Sequence, residues 1–216
     1  MAMICGIDEA GRGPVIGPLM ICGAMIAEEE EYRLKNLKVR DSKQLTPAQR
    51  EKMAEVLREI CKFELCAVTP EQIDGAVESK ATNLNWLEAE CTARVINSLK
   101  PDTAYIDCPS PNIPAYSQYL QKLITVKCKL VLAHKADVKY PIVSAASILA
   151  KVARDREIRE LQKRFVDPIG SGYPADPITV AFLQKHAKSH PEIFRKSWSS
   201  YRRITGGKNQ KTLEGF

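Results

Sequence analysis

Ile4-Cys5-Gly6-Ile7-Asp8-Glu9-Ala10-Gly11-Arg12-Gly13-Pro14 is the stretch on which the reading of this chain turns. The apolar run from Met3 to Ile7 predicts a strand that starts inside a core. It ends on two adjacent carboxylates, Asp8 and Glu9, and a loop with Gly11, Gly13 and Pro14 follows at once. Taking a carboxylate out of water is costly unless something compensates it, and a bound cation would. The glycines carry no Cβ and let the backbone come close to a ligand. Arg12 between them is placed to hold an anion. Acids for a metal beside a Gly-Arg-Gly loop for phosphate or sugar point to phosphate chemistry. For this stretch alone, a strand ending in a plain polar turn is the other reading. A dinucleotide-binding loop fits poorly: glycines at 11, 13 and 17 lack the G-x-G-x-x-G spacing, and acids stand where a pyrophosphate needs positive potential.

The 216 residues suffice for one large domain, or one domain with a helical appendage, and 44% hydrophobic residues supply a real core. The run Pro18 to Ala27 is too short to span a bilayer, and the N-terminus lacks a basic flank. A soluble, cytoplasmic protein is expected. None of the seven cysteines is spaced C-x-x-C. They read as reduced, mostly core residues, which argues against zinc. A net charge of +6 and a pI near 8.9 permit a polyanionic partner without requiring one.

In chain order, Pro18 to Ala27 predicts a second strand. Thr46 before Pro47 predicts a helix to about Cys61, with Thr as the N-cap and Pro at the first helical position. Phe63 to Val68 alternates as a strand. Thr69-Pro70 opens another short helix by the same logic. Leu84, Leu87, Cys91, Val95 and Leu99 recur at helical spacing over Asn83 to Leu99. Thr103 to Ile106 is a short strand ending on Asp107. A helix follows near Ala115 to Leu123, and Val126 to His134 is the last strand, with Asp137 close behind it. Pro141 to Phe165 predicts a long helix whose early Ser-Ala-Ala-Ser stretch is small enough to pack closely on a sheet. Asp176-Pro177 caps a helix to about Ser189, and a shorter helical segment carries Trp198, Tyr201, Arg202 and Arg203. The last residues, from Gly206, look flexible.

Asp8, Glu9, Asp107 and Asp137 thus all fall at or just beyond carboxyl ends of strands, where open α/β sheets collect ligands. Adjacent strands lie about 4.7–4.9 Å apart, so Asp8 and Asp107 can share a cation if their strands are neighbours. Glu9 joins them only if the glycine loop bends the chain, because a continuing strand points it away. Oxygen-only ligands suit Mg²⁺ or Mn²⁺. Two such ions about 3.5–4 Å apart clamp a phosphodiester, one activating water and the other stabilising the leaving oxygen. Hydrolysis of a nucleic-acid backbone is the natural chemistry. The scattered His134, His186 and His190 read as structural.

Asp-Glu-Ala-Gly-Arg-Gly-Pro at 8–14, Asp-Ser-Lys-Gln-Leu at 41–45, Tyr-Ile-Asp at 105–107, Lys-Ala-Asp at 135–137, Val-Ser-Ala-Ala-Ser-Ile-x-Ala-Lys-Val at 143–152 and Gly-Ser-Gly-Tyr-Pro at 170–174 together resemble type 2 ribonuclease H, ribonuclease HII. The matches run in the family's order over nearly the whole chain. With Phe194-Arg195-Lys196-Ser197-Trp198, they look most like the archaeal members. The resemblance implies an α/β, ribonuclease H-like fold: a central mixed sheet of about five strands flanked by helices, with a helical C-terminal extension. It implies a catalytic domain over 1–169, the extension over 170–205 packed on it, and a tail over 206–216. It further implies cleavage of RNA paired to DNA and incision 5′ of single ribonucleotides in duplex DNA, leaving 5′-phosphate and 3′-hydroxyl ends.

Asp8, Glu9, Asp107 and Asp137 match the family's metal-binding carboxylates, which implies two divalent ions. Gly11, Arg12 and Gly13 match the loop that grips the ribonucleotide 2′-hydroxyl, the group that distinguishes RNA from DNA. Tyr173 matches the tyrosine that stacks at the RNA–DNA junction. Ser42 and Lys43 are expected near the phosphates at the cut, and Lys151 and Arg154 further along the backbone. Gln210, Leu213 and Phe216 resemble a sliding-clamp-binding peptide that ends one aromatic short; Leu213 and Phe216 share one face of a single helical turn. Type 3 ribonuclease H lacks the Gly-Arg-Gly loop. A non-catalytic hybrid-binding module would tolerate the loss of an acid, and all four are present. A catalytic subunit of a heteromeric enzyme is the remaining rival to a self-sufficient monomer.

Overall fold

β2 (Leu19–Ala27) is buried at every position, as an unbroken apolar run requires of a strand covered on both faces. In a computed structural model, which describes residues 1–39 and 45–206, it lies inside a five-stranded sheet. The order is β3 (Lys62–Val68), β2, β1 (Met3–Ala10), β4 (Thr103–Asp107), β5 (Lys129–Ala133). β1 to β3 form an antiparallel meander, while β4 and β5 run parallel to β1. The sheet is therefore mixed, as expected.

The helices cover it on both sides. On one face lies α7 (Pro141–Gln162), with α1 (Glu31–Asn36) and α2 (Pro47–Ile60) beside it. A core of Ile4, Cys22, Ile26, Leu57, Ile142, Val143 and Leu149 joins them. On the other lie α4 (Leu84–Leu99) and α5 (Ile113–Leu123), over Cys5, Ile7, Ile21, Ile96, Ile106 and Leu120. Alternation along β1 thus sends Ile4, Gly6 and Asp8 toward α7, and Cys5, Ile7 and Glu9 toward α4.

Gly6 sets how closely α7 approaches. A Cβ there would come within 2.2 Å of the Ile142 carbonyl oxygen, so only glycine lets the helix start rest on the strand. Ser144, Ala145 and Ala146 in the next turn are buried and small, which fits the expected close packing.

Caps place the helices where the sequence predicts. Thr46 and Thr69 each close a capping box, with Gln49 and Gln72, before α2 and α3 (Pro70–Glu78). Asn83 caps α4, and Asp176 caps α8 (Pro177–His186). Some boundaries shift. β1 runs on through Asp8 and Glu9 to Ala10, because β2 continues to pair with it, Glu9 opposite Ile21 and Ala10 opposite Met20. β5 spans only Lys129–Ala133, and α7 stops at Gln162.

The chain beyond α7 folds back on the loop after β1. Val15, Ile16, Ile158, Ile169, Phe182, Leu183, Ile193 and Phe194 form a third core. Ile16 pairs with Phe194, Val15 N–H donates to Gly172 O (2.8 Å) and Gly17 N–H to Ile193 O (3.0 Å). α9 (Ser199–Thr205) follows. Ser42, Lys43, Gln210, Leu213 and Phe216 lie outside the described residues.

Candidate active site

The acids come together at one end of the sheet. β1 and β4 pair in parallel as far as Ile7 with Ile106, so Asp8 and Asp107 stand next in register on the α7 face. Asp107 Oδ1 accepts the backbone N–H of Ala136 at 3.1 Å, tying the exit of β5 to the end of β4. Lys135, in a left-handed conformation (φ 55°), turns the chain there into α6 (Ala136–Lys139), which carries Asp137. The Asp137 carbonyl accepts a bond from Ser144 Oγ on α7. Asp8, buried, also accepts the Glu9 N–H at 2.7 Å.

Burial pushes the Asp8 carboxyl up from 3.8 to about 7; Ser147 and the Glu9 N–H pull it down, while Asp107 and Asp137 add to the rise. The charges of two of the other three acids are therefore felt at the Asp8 carboxyl. Glu9 is on the opposite face of β1, yet burial and the charges of Glu88, Asp8 and Asp107 hold it well above the usual range against the pull of Arg12. Among the described residues, no three His, Cys, Asp or Glu side chains close into a ready metal cage. The continuing strand points Glu9 away from Asp8. The donor set itself is all oxygen, with Asp8 and Asp137 buried and Glu9 and Asp107 half-buried, and that chemistry fits a hard divalent cation.

A cleft of about 430 Å³ opens beside the acids, lined by Glu9, Gly11, Arg12, Gly13, Arg50, Ser147, Lys151 and Tyr173. Gly11 sits at φ +89°, a left-handed conformation that lets the chain leave β1 sharply. Tyr173, 41% exposed, lies against the loop: a Cβ on Gly13 would be 3.4 Å from its ring. The loop and Tyr173, expected to act on one ribonucleotide, are thus neighbours.

Two arginines correct the sequence reading. Arg12 lines the cleft, but its guanidinium already has partners within the protein. It is tied to α4 by an ion pair with Glu88 and by Nη2 to Asn85 Oδ1 (2.8 Å). Glu88 is 1% exposed, and burial raises it to about 7 against the pull of Arg12. Arg154 is 3% exposed, not a surface contact for phosphate. Its Nη2 donates to Ser171 O (2.9 Å) and its guanidinium lies 5.8 Å from the Tyr173 ring centre, which makes it a strut beneath the tyrosine loop. Lys151, by contrast, lines the cleft, paired with Asp155 at 2.7 Å. Of the histidines read as structural, His134 Nδ1 meets Cys108 O (3.1 Å), and His186 packs on Phe182 and bonds Asp167 (2.8 Å).

Sequence reasoning gave no role to Arg50, Ser147, Glu88 or Arg195. The first three are polar residues on helices that look like any solvated or core position until the helices are packed. Arg195 carries a signal, an arginine inside Phe-Arg-Lys-Ser-Trp, and it is fully buried under the glycine loop.

The family model described as ribonuclease HII matches residues 5–201. The ribonuclease HII of Methanocella arvoryzae is 45% identical over 91% of this chain and 89% of its own. The crystal structure of the ribonuclease H2 from Pyrococcus horikoshii OT3 superposes with a TM-score of 0.86, at 42% identity, over 94% of this chain and 97% of that one. The structure of the PCNA:RNase HII complex from Archaeoglobus fulgidus gives 0.83, at 42% identity, over 99% and 100%. The chain therefore belongs to the ribonuclease HII family, the ribonuclease H endonucleases that act on RNA/DNA hybrids.

Proposed function

We propose that the chain cleaves the RNA strand of RNA/DNA hybrids and incises 5′ of single ribonucleotides embedded in duplex DNA, leaving 5′-phosphate and 3′-hydroxyl ends. Asp8, Glu9, Asp107 and Asp137 would hold two divalent ions, Mg²⁺ or Mn²⁺. Such ions, when bound, supply an activated water and stabilise the leaving oxygen. The observation that supports the reading is the adjacency of three things: carboxylates near enough to raise one another's titration, a cleft, and a glycine loop beside an exposed tyrosine.

The chain's own groups would divide the work. Backbone N–H groups of the Gly11–Gly13 loop meet the 2′-hydroxyl, and Tyr173 stacks on the adjoining sugar. Lys151 and Arg50 face the phosphates from the cleft wall, and Ser42 and Lys43, outside the described residues, would contact the phosphates near the cut. Residues 1–169 serve as the catalytic body and 170–205 as the extension that shapes the loop. The tail, through Gln210, Leu213 and Phe216, would bind a sliding clamp, in line with the Archaeoglobus fulgidus relative's complex with PCNA. The enzyme would act as a cytoplasmic monomer. No helix among the described residues is long and apolar enough to cross a membrane.

The test is a labelled DNA duplex bearing one ribonucleotide, incubated with Mg²⁺, Mn²⁺ or a chelator, with both product ends mapped. A single cut 5′ of the ribonucleotide that needs a divalent ion is expected. Cleavage that persists in chelator, or that leaves a 3′-phosphate, would sink the mechanism.

A further inference from the structure

Arg195 is a cation with no access to solvent, and every hydrogen bond it makes goes to a backbone carbonyl of the segment after β1. Its Nη2 donates to Gly11 O (2.6 Å) and Gly17 O (3.0 Å), its Nη1 to Arg12 O (2.8 Å), and its Nε to Gly17 O (3.1 Å). The next carbonyl, Gly13 O, accepts the indole Nε1–H of Trp198 at 3.1 Å. The guanidinium also lies 5.1 Å from the Trp198 ring centre, so the two side chains form one unit. That unit is anchored from below. Buried Asp74 on α3 accepts the N–H groups of Lys196 (2.8 Å) and Ser197 (2.9 Å) and the Ser197 hydroxyl (2.6 Å).

In a trans peptide the carbonyl and the following N–H point in opposite directions. Fixing the carbonyls of Gly11 and Arg12 on Arg195 therefore aims the N–H groups of Arg12 and Gly13 the other way. Residues 11–13 line the cleft and Arg195 does not. We infer that Arg195 and Trp198 are positioning residues, which take the carbonyls of Gly11, Arg12, Gly13 and Gly17 so that the loop presents N–H groups to the ribose 2′-hydroxyl. This rests on the proposed reading of the loop as a ribonucleotide sensor. A guanidinium suits the task because its planar fork serves three carbonyls at once, which a lysine ammonium on a flexible stem does not match. Burial makes the cation costly, since desolvation brings Arg195 down to about 10, and four bonds to carbonyls offset that cost without a carboxylate among them.

The test compares wild type, Arg195→Lys and Trp198→Phe in the full chain. Affinity is measured with Ca²⁺ for two duplexes of one sequence, one carrying a single ribonucleotide and one all DNA. The readout is the ratio of the two affinities, which cancels any inactive fraction and is not moved by a merely structural defect. Both variants are expected to lower the ratio at least fivefold, with all-DNA affinity within twofold of wild type. A smaller drop in the ratio, or an equal loss on both duplexes, overturns the inference and leaves the proposed function standing. Wild type with no preference for the ribonucleotide overturns the proposed function and this inference with it. Should Arg195→Lys not fold, Trp198→Phe decides, because it removes one N–H and keeps an aromatic ring over the guanidinium.

Discussion

Replacing Asp8 by asparagine swaps a buried carboxylate for a neutral group of the same shape. In the folded protein the Asp8 carboxyl titrates at about 7, against an ordinary 3.8. An acid raised by folding contributes stability that is fully present below its unfolded value and lost as pH rises through the folded one. The loss per tenfold is about 1.4 kcal/mol, so ionising Asp8 removes about 4 kcal/mol by pH 8. Asparagine resembles the protonated acid and escapes that loss. The metal-free variant should therefore match wild type near pH 3, exceed it by about 1.5 kcal/mol at pH 5 and by about 4 kcal/mol at pH 8. In a chain of this length, each kcal/mol is worth about 2–4 °C of melting temperature. Thermal melts of both proteins across pH in chelator would measure the gap. Added Mg²⁺ or Mn²⁺ should narrow it, because ions that bind the ionised site stabilise wild type preferentially. A variant no more stable than wild type at pH 8, or a gap that does not change with pH, refutes the picture of an uncompensated buried carboxylate.

Gly6→Ala places a methyl group 2.2 Å from the Ile142 carbonyl oxygen and should cost about 3 kcal/mol or more, seen as a lower urea midpoint with an unchanged slope; a loss under about 1 kcal/mol would mean that α7 is free to lift off the strand. Tyr173→Ala should lower incision at a single ribonucleotide more than cleavage of a long hybrid, measured as kcat/KM on each; equal losses would remove Tyr173 from the junction. Deleting Gln210 to Phe216 should weaken binding to a sliding clamp, read by titration, while intrinsic cleavage stays within twofold; unchanged clamp affinity would put the contact elsewhere.

Much of this was written in short-range signals. The Thr-Pro-x-Gln pairs before α2 and α3 name their own helix starts, because the cap satisfies orphan N–H groups using neighbours in sequence. The apolar runs of β1, β2 and β4 read directly as strands, and the acids at 8, 107 and 137 stand out by following apolar runs in the sequence. The glycines at 11 and 13 stand out in the sequence too, whereas the need for Gly6, the carbonyl of Ile142 overhead, does not.

The sequence by itself determined the order of the strands and of the longer helices and the family, and it singled out the acids, since all of these rest on local pattern and on motifs that stand in a line; the short helices α1 and α6 it did not give. Only the tertiary structure decided that β1 carries on past its acids and sets Asp8 and Glu9 on opposite faces, because pairing with β2 supplies the hydrogen bonds that prolong it. It also decided what each arginine does. Arg12, Arg154 and Arg195 look alike in one dimension. One is tied to α4 by Glu88, one braces the tyrosine loop, and one holds the carbonyls of a loop more than 170 residues earlier. A guanidinium is long and carries five donors, so its role is set by whichever acceptors the fold brings within reach, and those lie far away along the chain.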